Sequence, residues 1–301
     1  ILIRQGVQLT VAAAATDGIH TNEAILIEGG TVQVTSTDEG INCDEGAVVI
    51  NDGTVTVTTK AASAKGIKGY GNVTINGGTI NVTAKGGDSS EGIESKSVLT
   101  INGGTVEVTA YDDCINAASG IVITGGSVYC YSSNNDGIDS NGPLTISGGL
   151  IVSSGTTSPE EGIDCDQNTF KITGGTLVGF GGATSTPTSS ASTQRSLIYG
   201  GSGTSNQYFS VVSSTGEIVL VCTIARTYSQ MTLLFSSPSL TAGTSYTIYS
   251  GGTVSGGTDF HGLYTAGTYT AGTQLSTFTS SSVVTQVGNV STGGGGQPGW
   301  R

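Results

Sequence analysis

The chain has few basic residues. Of its 301 residues, 10 are Lys or Arg and 22 are Asp or Glu, which gives a formal net charge of -12. Nucleic-acid binding depends on Lys and Arg that neutralise phosphates, so the composition argues against that class of partner. An acidic surface remains compatible with cations, or with a polyanion that cations bridge to the protein.

Long hydrophobic runs are also missing. No apolar stretch approaches the roughly 20 residues of a membrane span, and no signal peptide is present. Residue 1 already lies in a strand-like run, "ILIRQGVQLTV". We therefore expect the natural chain to begin upstream, with any export signal there.

Residues that bind transition metals are scarce. The two histidines are His20 and His261, and the five cysteines show no CxxC spacing. This argues against zinc and other transition metals. We expect a monomer, in which an odd number of cysteines leaves at least one unpaired. The favoured role of the cysteines is that of small buried residues.

Glycine and β-branched residues dominate what is present. The chain has 49 Gly, and its Thr and Val form short alternating runs such as "TVTVTT" at 54–59. Alternation of this kind is typical of half-buried strands. The composition predicts an all-β protein with many tight turns.

Two phrases recur in turn every 22 to 26 residues. The first contains a Gly-Ile pair in all but one of its seven copies, and the second resembles "INGGTV". The first phrase reads "TDGIHTN" at 16–22, "DEGINCD" at 38–44, "AKGIKGY" at 64–70, "SEGIESK" at 90–96, "DDCINAA" at 112–118, "NDGIDSN" at 135–141 and "EEGIDCD" at 160–166. This period, without a leucine-rich pattern, predicts a right-handed parallel β-helix of about seven coils.

Stacked coils place equivalent residues in columns about 4.8 Å apart. The isoleucines of the Gly-Ile pairs should form an inward column, with small residues such as Cys43 and Cys165 two positions later. These two cysteines would lie five coils apart, roughly 24 Å, which is too far for a disulfide.

The repeat predicts the division of the chain. Residues 1–182 form the β-helix, and 183–196 are a low-complexity connector. Residues 197–290 form a C-terminal β region that caps the open end of the helix, and 291–301 form a flexible tail.

The residues that flank each Gly-Ile pair are expected to point outward and to form an acidic stripe. Carboxylates about 4.8 Å apart repel by roughly 3 kcal/mol at an effective dielectric constant near 20. A hard cation with oxygen ligands would relieve this repulsion, and Ca²⁺ fits. The candidate ligands are Asp113, Asn116, Asp136, Asp139, Glu161, Asp164, Asp112, Asp166, Asp17, Glu39 and Asp44. A solvated acidic face is the alternative, and it is as well supported as Ca²⁺ for coils 1 and 2.

Lysines interrupt the stripe in its middle. Lys65, Lys68 and Lys96 alternate with Glu91 and Glu94, which predicts surface ion pairs between coils. A catalytic or polyanion-binding lysine is the alternative. Three aromatic residues gather on coil 5 and could stack on sugar rings, although filling a groove is the commoner use. They are Tyr111, Tyr129 and Tyr131.

The "DGI" and "INGGTV" coils, together with "SSPSLTAGTSYTIYSGGTVSG" at 236–256 and "GLYTAGTYTAGT" at 262–273, resemble a bacterial family of right-handed parallel β-helix carbohydrate-binding proteins. The family binds cellulose and polygalacturonic acid and is structurally akin to calcium-dependent pectate lyases. The resemblance implies bound Ca²⁺, a polysaccharide partner, and an extracellular or cell-surface location.

Three functions follow from these observations. The favoured hypothesis is a non-catalytic binder of plant cell-wall polysaccharide with Ca²⁺ along the stripe. The second is a calcium-dependent lyase, in which Lys68 or Lys96 would act as the base. The third is a purely structural adhesion module of the cell surface.

Overall fold

The structure is a computed structural model that describes residues 1–293, and every regular element in that range is a β-strand. Of the predicted flexible tail, residues 294–301 lie outside the described residues. No helix in the described part of the chain is long and apolar enough to cross a membrane.

Residues 2–181 form a parallel β-helix in which coils 1 to 5 contribute three strands each. The first strands are β3 (Ile19–Thr21), β6 (Ile41–Cys43), β9 (Ile67–Gly69), β12 (Ile93–Ser95), β15 (Ile115–Ala117), β18 (Ile138–Ser140) and β20 (Ile163–Asp164). The second strands are β4 (Ala24–Ile27), β7 (Ala47–Ile50), β10 (Val73–Ile75), β13 (Val98–Ile101) and β16 (Gly120–Ile123). The third strands are β5 (Thr31–Ser36), β8 (Thr54–Thr59), β11 (Thr79–Ala84), β14 (Thr105–Ala110) and β17 (Ser127–Ser132).

In the last two coils the second and third strands merge into β19 (Leu144–Ser154) and β21 (Phe170–Gly181). A partial coil of β1 (Leu2–Ile3) and β2 (Gln8–Ala14) precedes the first complete one. The prediction of an all-β parallel β-helix of about seven coils is confirmed.

The core is built from the predicted columns. Neighbouring first strands pair in parallel with isoleucine opposite isoleucine, for example Ile93 with Ile67 and with Ile115. All seven isoleucines of this column are buried, and the valine and isoleucine side chains of the third strands face them from across the coil. Alternation within each short strand thus places one set of residues in a continuous apolar interior.

A glycine forms the corner before each third strand. It adopts a φ between 84° and 104° in all seven coils. This left-handed region is costly for residues with a Cβ, which explains the invariance of the second "GG" position in the repeat. The seven glycines are Gly30, Gly53, Gly78, Gly104, Gly126, Gly149 and Gly175.

Residues 183–195 run along coil 7. The Ser185 and Thr188 amides donate hydrogen bonds to the Ile163 and Phe170 carbonyls over 3.1 and 2.7 Å, and the Cys165 amide donates to the Ser185 hydroxyl over 2.9 Å. The segment expected to be a connector therefore covers the last coil through backbone hydrogen bonds.

The C-terminal region continues from the last coil. Strand β25 (Tyr228–Ser236) pairs antiparallel with β21 and with β22 (Ser196–Gly203), and β22 also pairs with β30 (Val284–Gly288). Ile198 and Leu234 join the core of the β-helix from these strands.

A second sheet of six strands contributes Phe209, Leu220 and Ile248 to a second apolar core, which it shares with β21, β22 and β25. Its members pair in the order β27 (Thr258–Phe260), β28 (Leu263–Thr265), β24 (Ile218–Thr223), β23 (Tyr208–Ser213), β26 (Ser245–Ser255) and β29 (Thr268–Thr279).

Candidate functional site

The sheet of first strands carries the acidic residues of coils 5 to 7. Register places Asn116 opposite Asp139, and Asp139 opposite Asp164, on successive coils. A second column, one position before the Gly-Ile pairs, holds Asp113, Asp136 and Glu161. We call these six residues the acid column.

The second part of the acid column is buried rather than open to solvent, which the outward-facing stripe did not predict. Asp113, Asp136 and Glu161 are only 6%, 7% and 3% exposed. The Asp136 amide donates a 3.1 Å hydrogen bond to Asp113 Oδ1, and the Glu161 amide donates to Asp136 Oδ1. The carboxylates of Asp113 and Asp136 therefore lie between two coils, and each accepts a hydrogen bond from the backbone of the next coil. These residues precede the strands, so strand alternation does not govern their direction.

Three carboxylates of the acid column converge. One oxygen each from Asp136, Asp139 and Asp164 lie within 4.8 Å of one another. Asn116 Nδ2 donates to Asp139 over 2.6 Å, and the Ser185 hydroxyl donates to Asp164 Oδ1 over 2.9 Å. The site is thus rich in oxygen atoms, the donors that hard divalent cations prefer.

Burial and mutual repulsion raise the pKa values of this cluster. Burial, and next the charge of Asp164, raise the pKa of Asp139 to about 7, and the same two causes raise that of Glu161 to about 9. Burial also raises the pKa values of Asp113 and Asp136 well above their usual range; the next contribution is the charge of Asp139 for Asp113. These groups require either protons or a cation at neutral pH.

Glu161 shows the same need directly. Its Oε2 is buried and has no hydrogen-bond partner within residues 1–293. None of the ion pairs in the described part of the chain includes a member of the acid column. The negative charge of coils 5 to 7 is thus not compensated by basic side chains.

Other predicted ligands lie at the edges of this cluster. Asp112 accepts hydrogen bonds from the Ser89 amide over 2.6 Å and from Asn135. The Asp166 amide donates to Asp164 Oδ1 over 2.7 Å, and burial followed by the Asp164 charge raises the pKa of Asp166.

A second convergence occurs in coils 1 and 2. Oxygens of Asp17, Asp38 and Glu39 lie within 4.8 Å of one another. Asp17 accepts a 2.8 Å hydrogen bond from Asn42, and Glu39 lies 3.4 Å from Lys68 Nζ. The structure does not bring Asp44 into this group; Asp44 lies 2.9 Å from His20 Nε2 instead.

In coils 3 and 4 lysines neutralise the glutamates of the stripe. Lys65 Nζ lies 3.0 Å from Glu91, and Lys96 pairs with Glu94, which is 2% exposed. Burial alone would lower the pKa of Lys65, but the charges of Glu91 and Glu94 raise it overall. Lys65–Glu91 is a predicted ion pair between coils, whereas Lys96–Glu94 lies within coil 4 and Lys68 pairs with Glu39 of coil 2.

The tyrosines of coil 5 contact the C-terminal region. His261 stacks on Tyr129 with ring centroids 3.7 Å apart, and the Arg226 guanidinium lies 4.3 Å from the centre of the Tyr131 ring. His261 Nε2 also lies 3.1 Å from Glu107. One face of each ring is therefore covered within the protein, whereas Tyr111 is half-buried.

Sequence reasoning did not find Ser185, His261 or Arg226 as neighbours of these sites. Each comes from a segment beyond the repeat, and no periodicity relates it to the coils. Asp38 was recognisable as one more acidic residue beside a Gly-Ile pair.

Comparison with known proteins gives one family. The model of a family described as carbohydrate-binding domain-containing protein matches residues 1–137 and 90–255. No curated protein and no solved structure matches the chain. The two matches together span both the coils and most of the C-terminal region, and the chain belongs to this carbohydrate-binding domain family.

Proposed function

We propose that this protein is a non-catalytic binder of plant cell-wall polysaccharide, cellulose or polygalacturonate or both, and that its acid column holds Ca²⁺. The observation that carries the calcium proposal is the convergence of Asp136, Asp139 and Asp164 oxygens within 4.8 Å, with no basic partner among the described residues. Family membership supports the carbohydrate part.

The donor set suits calcium. Carboxylates, the Asn116 amide and the Ser185 hydroxyl offer oxygens, and Ca²⁺ takes six to eight such ligands in flexible geometry. The side chains of Asp136, Asp139 and Asp164 would hold the ion, with Glu161 and Asp113 adding charge nearby. The ion would supply positive charge that joins successive coils, and its remaining coordination positions could accept uronate carboxylates.

Calcium would also decide which glycan binds. A protein with a net charge of -12 repels a bare polyuronate, so retention of polygalacturonate should depend on the ion. Cellulose is neutral, and its binding should depend little on calcium or salt. We place the protein at the cell surface or outside the cell, acting as a monomer.

The lyase alternative requires a lysine that can accept a proton. Lys68 lies 3.4 Å from Glu39, and Lys96 pairs with the buried Glu94. A lysine amine held by a carboxylate of the protein is not free to approach the proton of a substrate. These contacts favour binding over lyase chemistry.

A retention experiment tests the proposal. The protein is mixed with insoluble cellulose and, separately, with polygalacturonate, with calcium or with a chelator, while the ultraviolet absorbance of unsaturated products is followed. We expect retention without product, and loss of calcium-dependent retention in an Asp139→Asn, Asp164→Asn double variant. Asp88→Asn, an exposed aspartate outside the column, is the matched control.

Two results would overturn the proposal. Sustained product that disappears in Lys68→Ala or Lys96→Ala would establish the lyase. Neither retention nor product would leave the structural adhesion module as the remaining function.

A further inference from the structure

Coil 5 departs from the repeat at one buried position. The residue before each isoleucine of the first strands is glycine in six coils and Cys114 in the fifth. The glycine is required for space: a Cβ built on Gly92 would lie 2.1 Å from Val108 Cγ1, and the first three coils give 2.1 to 2.2 Å at the same place. A side chain at this position therefore cannot coexist with valine across the coil.

The residue across the coil has changed as well. Cys130 occupies the register position of Val108 in the next third strand. Cysteine carries one γ atom where valine carries two, so the paired change makes room for the Cys114 side chain. Both cysteines are 0% exposed, and their side chains lie next to each other in the same apolar core. The two thiols are thus in contact inside the core.

The equivalent positions of coil 1 have the separation that a disulfide requires. In coil 1, the Cβ built on Gly18 lies 3.6 Å from the Cβ of Val34. Disulfide-bonded residues have Cβ atoms about 3.5 to 4.5 Å apart. The other three cysteines are separate from this pair, because Cys43 and Cys165 lie in a different column and Cys222 belongs to the second core.

We propose that Cys114 and Cys130 form a disulfide that closes coil 5 on itself. The two thiols lose two electrons and two protons to a low-molecular-weight disulfide, which is reduced to two thiols. The exchange passes through a mixed disulfide, so one cysteine must first be accessible. Because both thiols are fully buried in the finished coil, the bond forms while the coil is assembling.

The bond would join Cys114, just before β15, to Cys130 in β17. Both lie in coil 5, the first coil of the acid column. Asp113, the residue before Cys114, lies at that end of the column. The cross-link would close a loop of about 15 residues in the unfolded chain and so lower the entropy of the unfolded state. Closing a loop of this length should raise the melting temperature of a protein this size on the order of 5 °C.

The experiment refolds the full chain from denaturant in a glutathione redox buffer, at an oxidising and at a reducing poise. Thiols are then alkylated under denaturing conditions and counted by intact mass, and proteolytic peptides are mapped. We expect two of the five thiols to be protected at the oxidising poise, in a peptide pair linking Cys114 to Cys130, with Cys43, Cys165 and Cys222 alkylated.

The matched control replaces the pair by the residues of the first four coils, Cys114→Gly with Cys130→Val. This variant should fold and show the same melting temperature at both poises, whereas the original chain should melt higher when oxidised. Five alkylated thiols at the oxidising poise, or a bond to any other cysteine, would overturn the proposal. A Cys114–Cys130 bond with an unchanged melting temperature would retain the linkage and refute its stabilising role.

Discussion

Asp139→Asn should change the stability of the protein in opposite directions with and without calcium. In the absence of a cation, burial and the Asp164 charge raise the pKa of Asp139 to about 7, against about 3.9 in an unfolded chain. The folded state thus retains a proton that the unfolded state has lost. Stability from this group is complete at low pH and is lost as the pH rises from about 4 to about 7.

The magnitude follows from the size of that interval. About three pH units at 1.36 kcal/mol each correspond to roughly 4 kcal/mol lost at a pH of about 8. Asparagine carries no charge, so the variant should escape this loss. In chelator at a pH of about 8 it should be more stable than the original chain, by at most that amount, and at a pH near 4 the difference should vanish.

Calcium should reverse the order. A ligand held about ten-thousandfold above its dissociation constant contributes about 5.5 kcal/mol to the folded state, which exceeds the loss of roughly 4 kcal/mol that the charged carboxylate causes. The variant lacks one of the three converging carboxylates and should gain less from calcium than the original chain does.

Urea unfolding at both pH values, in chelator and in calcium, measures these differences. The exposed Asp88→Asn change should follow the original chain in all four conditions. The reasoning is refuted if the chelated original chain becomes more stable between pH values of about 5 and 8. It is equally refuted if Asp139→Asn is destabilising to the same extent with and without calcium.

Three further changes test the packing. Gly92→Ala places a Cβ 2.1 Å from Val108 Cγ1 and should cost about 1–3 kcal/mol of unfolding free energy, measured in urea. Lys65→Met removes the amine that lies 3.0 Å from Glu91, and the pKa of Glu91, about 7 in the original chain, should then rise further. The variant should therefore lose more stability at a pH of about 8 than at a pH of about 5. Tyr228→Phe removes a 2.8 Å hydrogen bond from the tyrosine hydroxyl to a carbonyl of the coil 6 loop and should lower the melting temperature through a loss of about 1 kcal/mol.

The coils were predictable because a parallel β-helix repeats its backbone at each turn. Equivalent residues then meet the same environment, and the sequence repeats wherever that environment is demanding, as at Ile93 and the glycine corners. The isoleucine column, the buried third-strand residues and the number of coils all follow from this rule. The register of Ile67, Ile93 and Ile115 agrees with it residue by residue.

The candidate site was predictable in its membership and only partly in its geometry. Stacking alone brings Asp139 and Asp164 together. The burial of Asp113 and Asp136 depends on hydrogen bonds from the next coil's backbone, in a turn where strand alternation does not apply. The partners of Tyr129 and Tyr131 come from residues far along the chain, and the repeat carries no signal for them.

The stripe solves one electrostatic problem in two ways along its length. Coils 3 and 4 place Lys65 and Lys96 beside glutamates, so that part of the stripe is compensated without any added ion. Coils 5 to 7 also contain buried carboxylates, and the ion pairs of the described residues leave them uncompensated. A buried negative charge must be neutralised by a proton or by a cation. The pKa values of Asp139 and Glu161 are raised to about 7 and about 9, so these carboxyls keep their protons up to about those pH values. At higher pH the protons are lost, and a cation would have to neutralise the charge.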